Sequence, residues 1–353
     1  MNEVSLIIGA DICPTNDNLH FFENGNIKLL LGEDIYNILI DADFRIFNLE
    51  CPLTDKNTPI NKWGPVLRAN TSTVNGIKSL NPSLLTLANN HIYDHGKQGI
   101  ESTINILNKY NIPFSGIKSN EYILEKNKIK IGIYVCAEHE FNLESSFFDS
   151  LETPDKIYQL KKKCDYVIVL YHGGKEYYQY PSPLLQKRFR KMAEKGALLV
   201  VAQHTHCIGC YEKYNDSILV YGQGNFIYNE NCNNSSNSSL LLKINLSKES
   251  FFIDYIPVSK FEDKKHILND FEKRSLQILK SGFIENEYLN FAKKMHGYYL
   301  DSFQGNTYIH RIFRKIFKKN ISKFVLSKSN LLRIQNYVQC EAHRELFLAG
   351  FIK

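Results

Sequence analysis

"GALLVVAQHTH", Gly196–His206, is the stretch that decides the fold. Its glycine follows a helical pattern, "PLLQKRFRKMAEKGA", and serves as the C-cap of that helix. The run Leu198, Leu199, Val200, Val201 then reads as a buried strand, and two histidines follow at its end. Helix, glycine, apolar strand and then chemistry is the order of a layered α/β fold, whose strand ends converge on one rim. His204 and His206 lie two residues apart, so an extended backbone sends both imidazoles the same way.

The same order repeats on both sides of this stretch. "SLIIGAD", "DADFRIFNLE", "PSLLTLANNH" and "KCDYVIVLYHGG" each run from an apolar strand into polar residues, and Ile129, Ile131 and Ile133 alternate as in a half-buried strand. Ile100, Ile104 and Leu107 carry helical spacing, and "IPFSGI" begins the strand after them. From Ile218 the pattern becomes strands and turns, "SILVYGQGNFIY", "LLLKINL" and "FFIDYIPV", with "NENCNNSSNSS" as a solvated loop. Beyond Phe261 the chain turns helical and basic, as in "HILNDFEKRSLQIL". This divides it into an α/β domain, residues 1–260, and a helical extension, residues 261–353.

Bulk properties exclude several classes. With 43% hydrophobic and 23% charged residues the 353-residue chain matches soluble globular proteins, and no window approaches the roughly 18 apolar residues of a membrane span. "MNEVSLIIGADICP" lacks the basic stretch, the apolar stretch and the cleavage site of a secretory signal, so a cytoplasmic location is expected. Eight cysteines spread over a long chain point to reduced thiols. A net charge of +6 is too weak to imply nucleic acid.

The strand ends offer Asp11; Asn48 and Glu50 in "FNLECPL"; Asn89, Asn90, His91 and Asp94 in "ANNHIYDHG"; His172 in "YHGGKEY"; and the two histidines of the opening stretch. Singly, each reads as a cap, a turn residue or a surface histidine. As a set they mix imidazole and oxygen donors, which suits manganese, iron or zinc as divalent ions. Two such ions roughly 4 Å apart are a device for hydrolysing phosphoesters.

"GAD", "FNLECPL", "LANNHIYDHG", "YHGGKEY", "GALLVVAQHTH" and "VYGQGNF" stand in an order and spacing that resembles the CapA-type capsule (poly-γ-glutamate) synthesis proteins, a branch of the calcineurin-like metallophosphatases. The resemblance covers about residues 4 to 260. It implies a four-layer α/β/β/α sandwich with a two-metal site on one edge. It also implies Asp11 and His206 as ligands of the first ion, Glu50 as the bridge, and Asn90, His172 and His204 as ligands of the second. His91 resembles the acid that protonates the leaving oxygen. Asp94 either orients that imidazole or caps the helix before "GKQGIESTI". Glu176 either meets substrate or lies plainly at the surface. Two departures stand out: Cys13 replaces the histidine of the superfamily's Asp-x-His, as a thiolate ligand or a small buried hydrophobe, and Glu50 stands where an aspartate is usual.

Cys207 and Cys210 form a Cys-x-x-Cys, but "CIGCYEKYNDS" reads as strand ends and a turn rather than the helix a redox motif needs, and a second pair for zinc is absent. In "HRIFRKIFKKNISKFVLSKSNLLRI", Arg311, Arg314, Lys315, Lys318, Lys319 and Lys323 interleave with apolar residues. This is either a helix packed on the sandwich or a surface for anionic lipid or polymer, so residues 305–353 are where peripheral membrane or synthesis-complex contact is expected. The function that follows is a two-metal hydrolase acting on a phosphorylated or anionic polymer-related substrate. A non-hydrolytic polymer-binding component and an amide or γ-glutamyl hydrolase are the alternatives.

Overall fold

Apolar alternation builds two sheets, and helices cover the outer face of each. The structure, a computed structural model, describes residues 3–15, 17–139, 148–228, 238–260, 262–304 and 328–351. Its strands are β1 (Val4–Ile12), β2 (Phe44–Leu49), β3 (Leu84–Thr86), β4 (Phe114–Ser115), β5 (Glu121–Lys126), β6 (Ile129–Ala137), β7 (Tyr166–His172), β8 (Leu199–Gln203), β9 (Tyr211–Tyr214), β10 (Ser217–Val220), β11 (Asn225–Ile227), β12 (Ser238–Leu246) and β13 (Phe251–Ser259). The first sheet runs β13-β12-β1-β2-β3-β4 with β11 also beside β1, and the second runs β5-β6-β7-β8-β10-β9. β1 to β4 pair in parallel, as do β6, β7, β8 and β10, and helices make the crossovers except between β8 and β10, where β9 intervenes.

The alternation expected of β6 sorts its side chains. Ile129, Ile131, Ile133 and Val135 join Ile168, Leu170, Leu199 and Val201 in one core shared with the first sheet. The intervening Tyr134, Cys136, Val167, Val169, Tyr171 and Val200 face the other way, against Ile157 and Leu160 of the helix Thr153–Lys161 and Phe189 and Met192 of the helix Pro183–Glu194. On the far side, Phe22, Ile27, Leu39, Ile77 and Leu107 bring the preceding helices onto the first sheet. The result is a four-layer α/β/β/α sandwich. Each fully buried Leu or Ile of its core contributes roughly 1.5–3 kcal/mol.

The helices after residue 260 pack onto this body. Ile267 and Phe271 of the helix Lys264–Gln277 enter the shared core, while Ile278 and Ile284 meet the outer layer of the second sheet. Tyr288, Ala292, Tyr337 and Leu346 form a further cluster with Tyr178. Most of the expected basic stretch, with Arg311, Arg314, Lys315, Lys318, Lys319 and Lys323, lies outside the described residues, as do Cys232 and most of its polar tract. No described helix is long and apolar enough to cross a membrane.

One glycine ties the fold to the rim where the polar residues gather. Gly116, at φ +104°, sits where a Cβ would come within 2.5 Å of the backbone nitrogen of Ala88, the residue before Asn89 and Asn90. Gly116→Ala is expected to destabilise the chain by about 1–3 kcal/mol from backbone strain alone. The urea midpoint measures this, and an unchanged midpoint would show that the close approach is not needed.

Candidate metal centre

β1, β2 and β3 are parallel, as are β7 and β8, so the strands of each set carry their C-termini to one side, and the residues at those ends meet on one rim. Asp11 lies near the end of β1, Glu50 directly after β2, Asn90 and His91 after β3, His172 at the end of β7, and His204 and His206 after β8. All are buried. β1 shifts register between Ile8 and Asp11 against β2, a local irregularity beside the site.

Two overlapping triads form there. Asp11, Glu50 and His172 place ligand atoms within 4.8 Å of one another, and so do Glu50, His204 and His206. Glu50 Oε1 is 3.4 Å from His172 Nε2 and 3.9 Å from His206 Nε2, so this carboxylate is common to both. Asn90 Oδ1 lies 3.0 Å from His172 Nε2. The His204 ring lies between the other two imidazoles, its centroid 4.9 Å from that of His172 and 5.8 Å from that of His206.

The histidine pair also converges by a different route from the one expected. β8 stops at Gln203, and His204 and His206 adopt φ of +88° and +52°, so a left-handed turn replaces the extended backbone. Non-glycine residues held at positive φ cost about 1–3 kcal/mol each and persist where surrounding contacts impose them. Here the contacts are visible. The amide of His204 donates to Asp11 Oδ2 at 3.0 Å, and His206 Nδ1 sits 2.8 Å from Asn225 Oδ1. A proton on Nδ1 would donate to that oxygen and leave Nε2 a lone pair on the side of Glu50, as a ligating histidine needs.

Asn48 and Asn225 do work that sequence reasoning did not assign them. Asn48 Oδ1 accepts from Thr86 Oγ1 and Asn89 Nδ2 at 3.1 Å each, which fixes the sense of its amide. Its Nδ2 then donates to Asp11 Oδ1 at 2.7 Å and lies 3.2 Å from His172 Nδ1. Asn225, paired with Asp11 across β1 and β11, is the asparagine of "VYGQGNF".

The electrostatics suit a cation. Burial and the charge of Glu50 push the Asp11 carboxyl up to about 6. Burial takes His172 down to about 4, and burial with the neighbouring imidazoles takes His204 well below its ordinary value. Both shifts favour the neutral imidazole, the form that ligates metal, while the Glu50 and Asp11 carboxylates repel each other. His204 Nδ1 is buried with no hydrogen-bond partner among the described residues. A divalent ion would satisfy that atom and offset the repulsion, so the residues fit the group.

Beside the triads, His91 Nδ1 lies 2.7 Å from Asp94 Oδ2. Of the two readings of Asp94, the structure shows the one that orients His91: the residue capping the helix Gly96–Lys109 is His95. Asp94 Oδ2 also accepts from the Leu67 amide at 2.6 Å, and its other oxygen pairs with the buried Lys62. Lys62 was not foreseen. It sits in a loop without pattern, among 43 Lys and Arg, and only the folding of that loop over Asp94 singles it out. Burial and the Lys62 charge depress the His91 pKa, and Asp94 opposes them.

The ion pair carries a prediction. His91 and Lys62 hold the Asp94 carboxyl below its ordinary value of 3.8 in spite of burial. A depressed folded pKa means stability present above the unfolded pKa and lost as pH falls through the folded one. Asp94→Asn strands a buried lysine and is expected to cost about 3–5 kcal/mol at neutral pH, a gap that narrows below about pH 4 as wild type itself takes up the proton. Urea midpoints across pH check this, and a gap that stays constant into acid would count against it.

Glu176 lies at the edge of the group, Oε1 3.9 Å from His204 Nε2. Cys13 is buried beside Cys51, and the hydrogen bond to Cys51 together with burial raises its pKa well above its ordinary value, while Cys13 is in neither ligand triad. Cys207 and Cys210 are buried free thiols, and burial pushes Cys207 up to about 12.

Residues 28–230 match the family described as bacterial capsule synthesis protein PGA_cap, a span that holds Glu50, Asn90, His91, Asp94, His172, Glu176, His204 and His206 but neither Asp11 nor Cys13. Over 219 residues the chain is 28% identical to the PGA biosynthesis protein CapA of Bacillus subtilis (strain 168), covering 57% of each. Over 211 residues it is 25% identical to the capsule biosynthesis protein CapA of Bacillus anthracis, covering 55% of this chain and 51% of that one. The chain thus spans about half the length of the curated relatives it matches. A solved phosphatase from Mycoplasma pneumoniae aligns over 76% of this chain and 97% of its own at 15% identity and a TM-score of 0.47, a distant likeness of shape. With the family match running through β2 to β11 and the polar rim between them, the chain belongs to the bacterial capsule synthesis protein PGA_cap family.

Proposed function

We propose that this protein is a two-metal phosphoesterase acting on a phosphorylated or anionic intermediate in the synthesis of a bacterial surface polymer, poly-γ-glutamate or polysaccharide. The observation that carries the reading is Glu50, one buried carboxylate shared by two ligand triads beside a His91–Asp94 pair. The names of the relatives support the polymer context. Asp11, Glu50, Asn90, His172, His204 and His206 would hold manganese, iron or zinc. When bound, two such ions supply Lewis acidity, lowering the pKa of water and neutralising charge on a transferring phosphoryl group.

The chain's own residues supply the rest. Asn48 aims Asp11 and His172, and Asn225 holds the His206 ring at Nδ1. Asp94 holds His91 through Nδ1, which leaves Nε2 to deliver a proton to the departing oxygen. The test is elemental analysis of the purified protein joined to turnover of aryl and alkyl phosphate mono- and diesters and of polymer-precursor pools. Two ions per chain with ester turnover is the expected result. Bound ions without turnover of any ester would favour a polymer-binding role, and turnover of a γ-glutamyl amide instead would move the chemistry from phosphorus to carbon.

A further inference from the structure

The helices beyond the family match build part of the site's surroundings. A cavity of about 470 Å³ opens at Asn90 and His91, within the size range of small-molecule pockets. One wall comes from the sandwich, through Trp63 in the loop after Lys62 and Tyr177 after β7. The other comes from Phe291 on the helix Phe283–Gln304, Tyr337 on the helix Lys328–Gln339, and His343 on the helix Glu341–Ala349. Lys175 lines the same space, and Glu176 is the one carboxylate among the described lining residues.

The outer wall is anchored to the body of the protein. Arg188 donates to both Glu341 oxygens, at 3.0 and 2.5 Å, and Ser182 Oγ donates to Glu345 at 2.8 Å. Tyr178 stacks on Phe291 with ring centroids 4.4 Å apart, and the Arg333 guanidinium lies 5.0 Å from the centre of the Trp63 ring. Rings thus line the cavity from the sandwich and from the C-terminal helices, and Lys62, Lys175 and His91 line it with them.

Resting on the phosphoesterase reading, we propose that this cavity is the leaving-group pocket: it takes a ring-bearing alcohol esterified to phosphate, with Lys175 facing the anionic charge, and the C-terminal helices set that preference. If His91 protonates the leaving oxygen, whatever that oxygen carries extends from His91 into the space beyond. Four aromatic side chains favour a planar or apolar ring there over a small hydrophilic group.

Trp63 is the chain's only tryptophan, so its fluorescence reports on the cavity without catalysis. Metal-free protein titrated with 4-nitrophenyl phosphate is expected to show saturable quenching, absent with glycerol 1-phosphate. Tyr337→Ala should weaken it about tenfold, the scale of one ring contact, and Tyr337→Phe should restore it. With manganese, Tyr337→Ala should lower kcat/KM for the aryl ester relative to the glycerol ester by a similar factor. Phe291→Leu, judged the same way, serves if Tyr337→Ala does not fold. Quenching that does not saturate, or that ignores both variants, overturns the pocket. Saturable, Tyr337-dependent quenching without any hydrolysis overturns the phosphoesterase reading and leaves a binding site for ring-bearing phosphates. Hydrolysis with an unchanged ester preference overturns the pocket alone.

Discussion

Glu50→Gln is expected to abolish stoichiometric binding of two manganese ions and to lower phosphoester hydrolysis by roughly a thousandfold or more, the several kcal/mol of charge stabilisation that bound ions supply. The substitution keeps the volume and removes one negative charge from the only residue present in both triads. Asp11 would then be the sole carboxylate of the two triads, beside His172, His204 and His206. The same change predicts an opposite effect without metal. Burial and Glu50 together raise the Asp11 carboxyl to about 6, so removing Glu50's charge relieves a buried repulsion and should stabilise the metal-free protein. Elemental analysis and thermal melts with and without manganese read both effects. A variant that binds two ions and melts as wild type does in each condition would remove Glu50 from the centre of the site.

His91→Ala should lower kcat for alkyl phosphate esters by about 10²–10⁴-fold while leaving metal stoichiometry unchanged. His91 is not in either ligand triad, and its Nδ1 is committed to Asp94 at 2.7 Å. An acid that protonates a departing alkoxide matters most where the alkoxide is a poor leaving group. Against a nitrophenyl ester, whose phenolate departs with little help, the loss should shrink toward tenfold. Plotting the log of the loss against leaving-group pKa tests the role, since a slope of zero would mean that His91 positions substrate or structure instead. Asp94→Asn should act in the same direction on the alkyl esters, because it removes the acceptor that holds the imidazole.

Much of the site was legible in the sequence because its residues sit where apolar runs end, and a strand's end is a one-dimensional signal. Asp11, Glu50, Asn90, His91, His172 and the histidines of "QHTH" could each be placed after a strand by reading hydrophobicity alone. The alternation of Ile129, Ile131 and Ile133 predicted a half-buried strand, whereas β6 is buried on both faces, because Tyr134 and Cys136 pack under the outer helices. Less legible were residues whose role depends on a partner far along the chain. Lys62 lies 32 residues before Asp94 in an irregular loop, and Asn225, on β11 beside β1, meets His206 from the turn after β8.

The opening stretch shows where the division falls. Its composition determined a strand ending in two histidines, because β-branched apolar residues and a preceding glycine cap are local preferences that any window of the chain expresses. How those histidines meet was decided by the tertiary structure. An extended backbone would have aimed both by alternation, whereas Asp11 captures the His204 amide and Asn225 captures the His206 ring, and together they hold two left-handed residues. The wall of the cavity above them follows the same rule. Tyr337 and His343 carry no local mark of function, and only the packing of the C-terminal helices, clamped through Arg188 and Glu341, brings them over His91. Local propensity is written in neighbouring residues, while the convergence of distant side chains on one buried point depends on how the layers pack, which no single window contains.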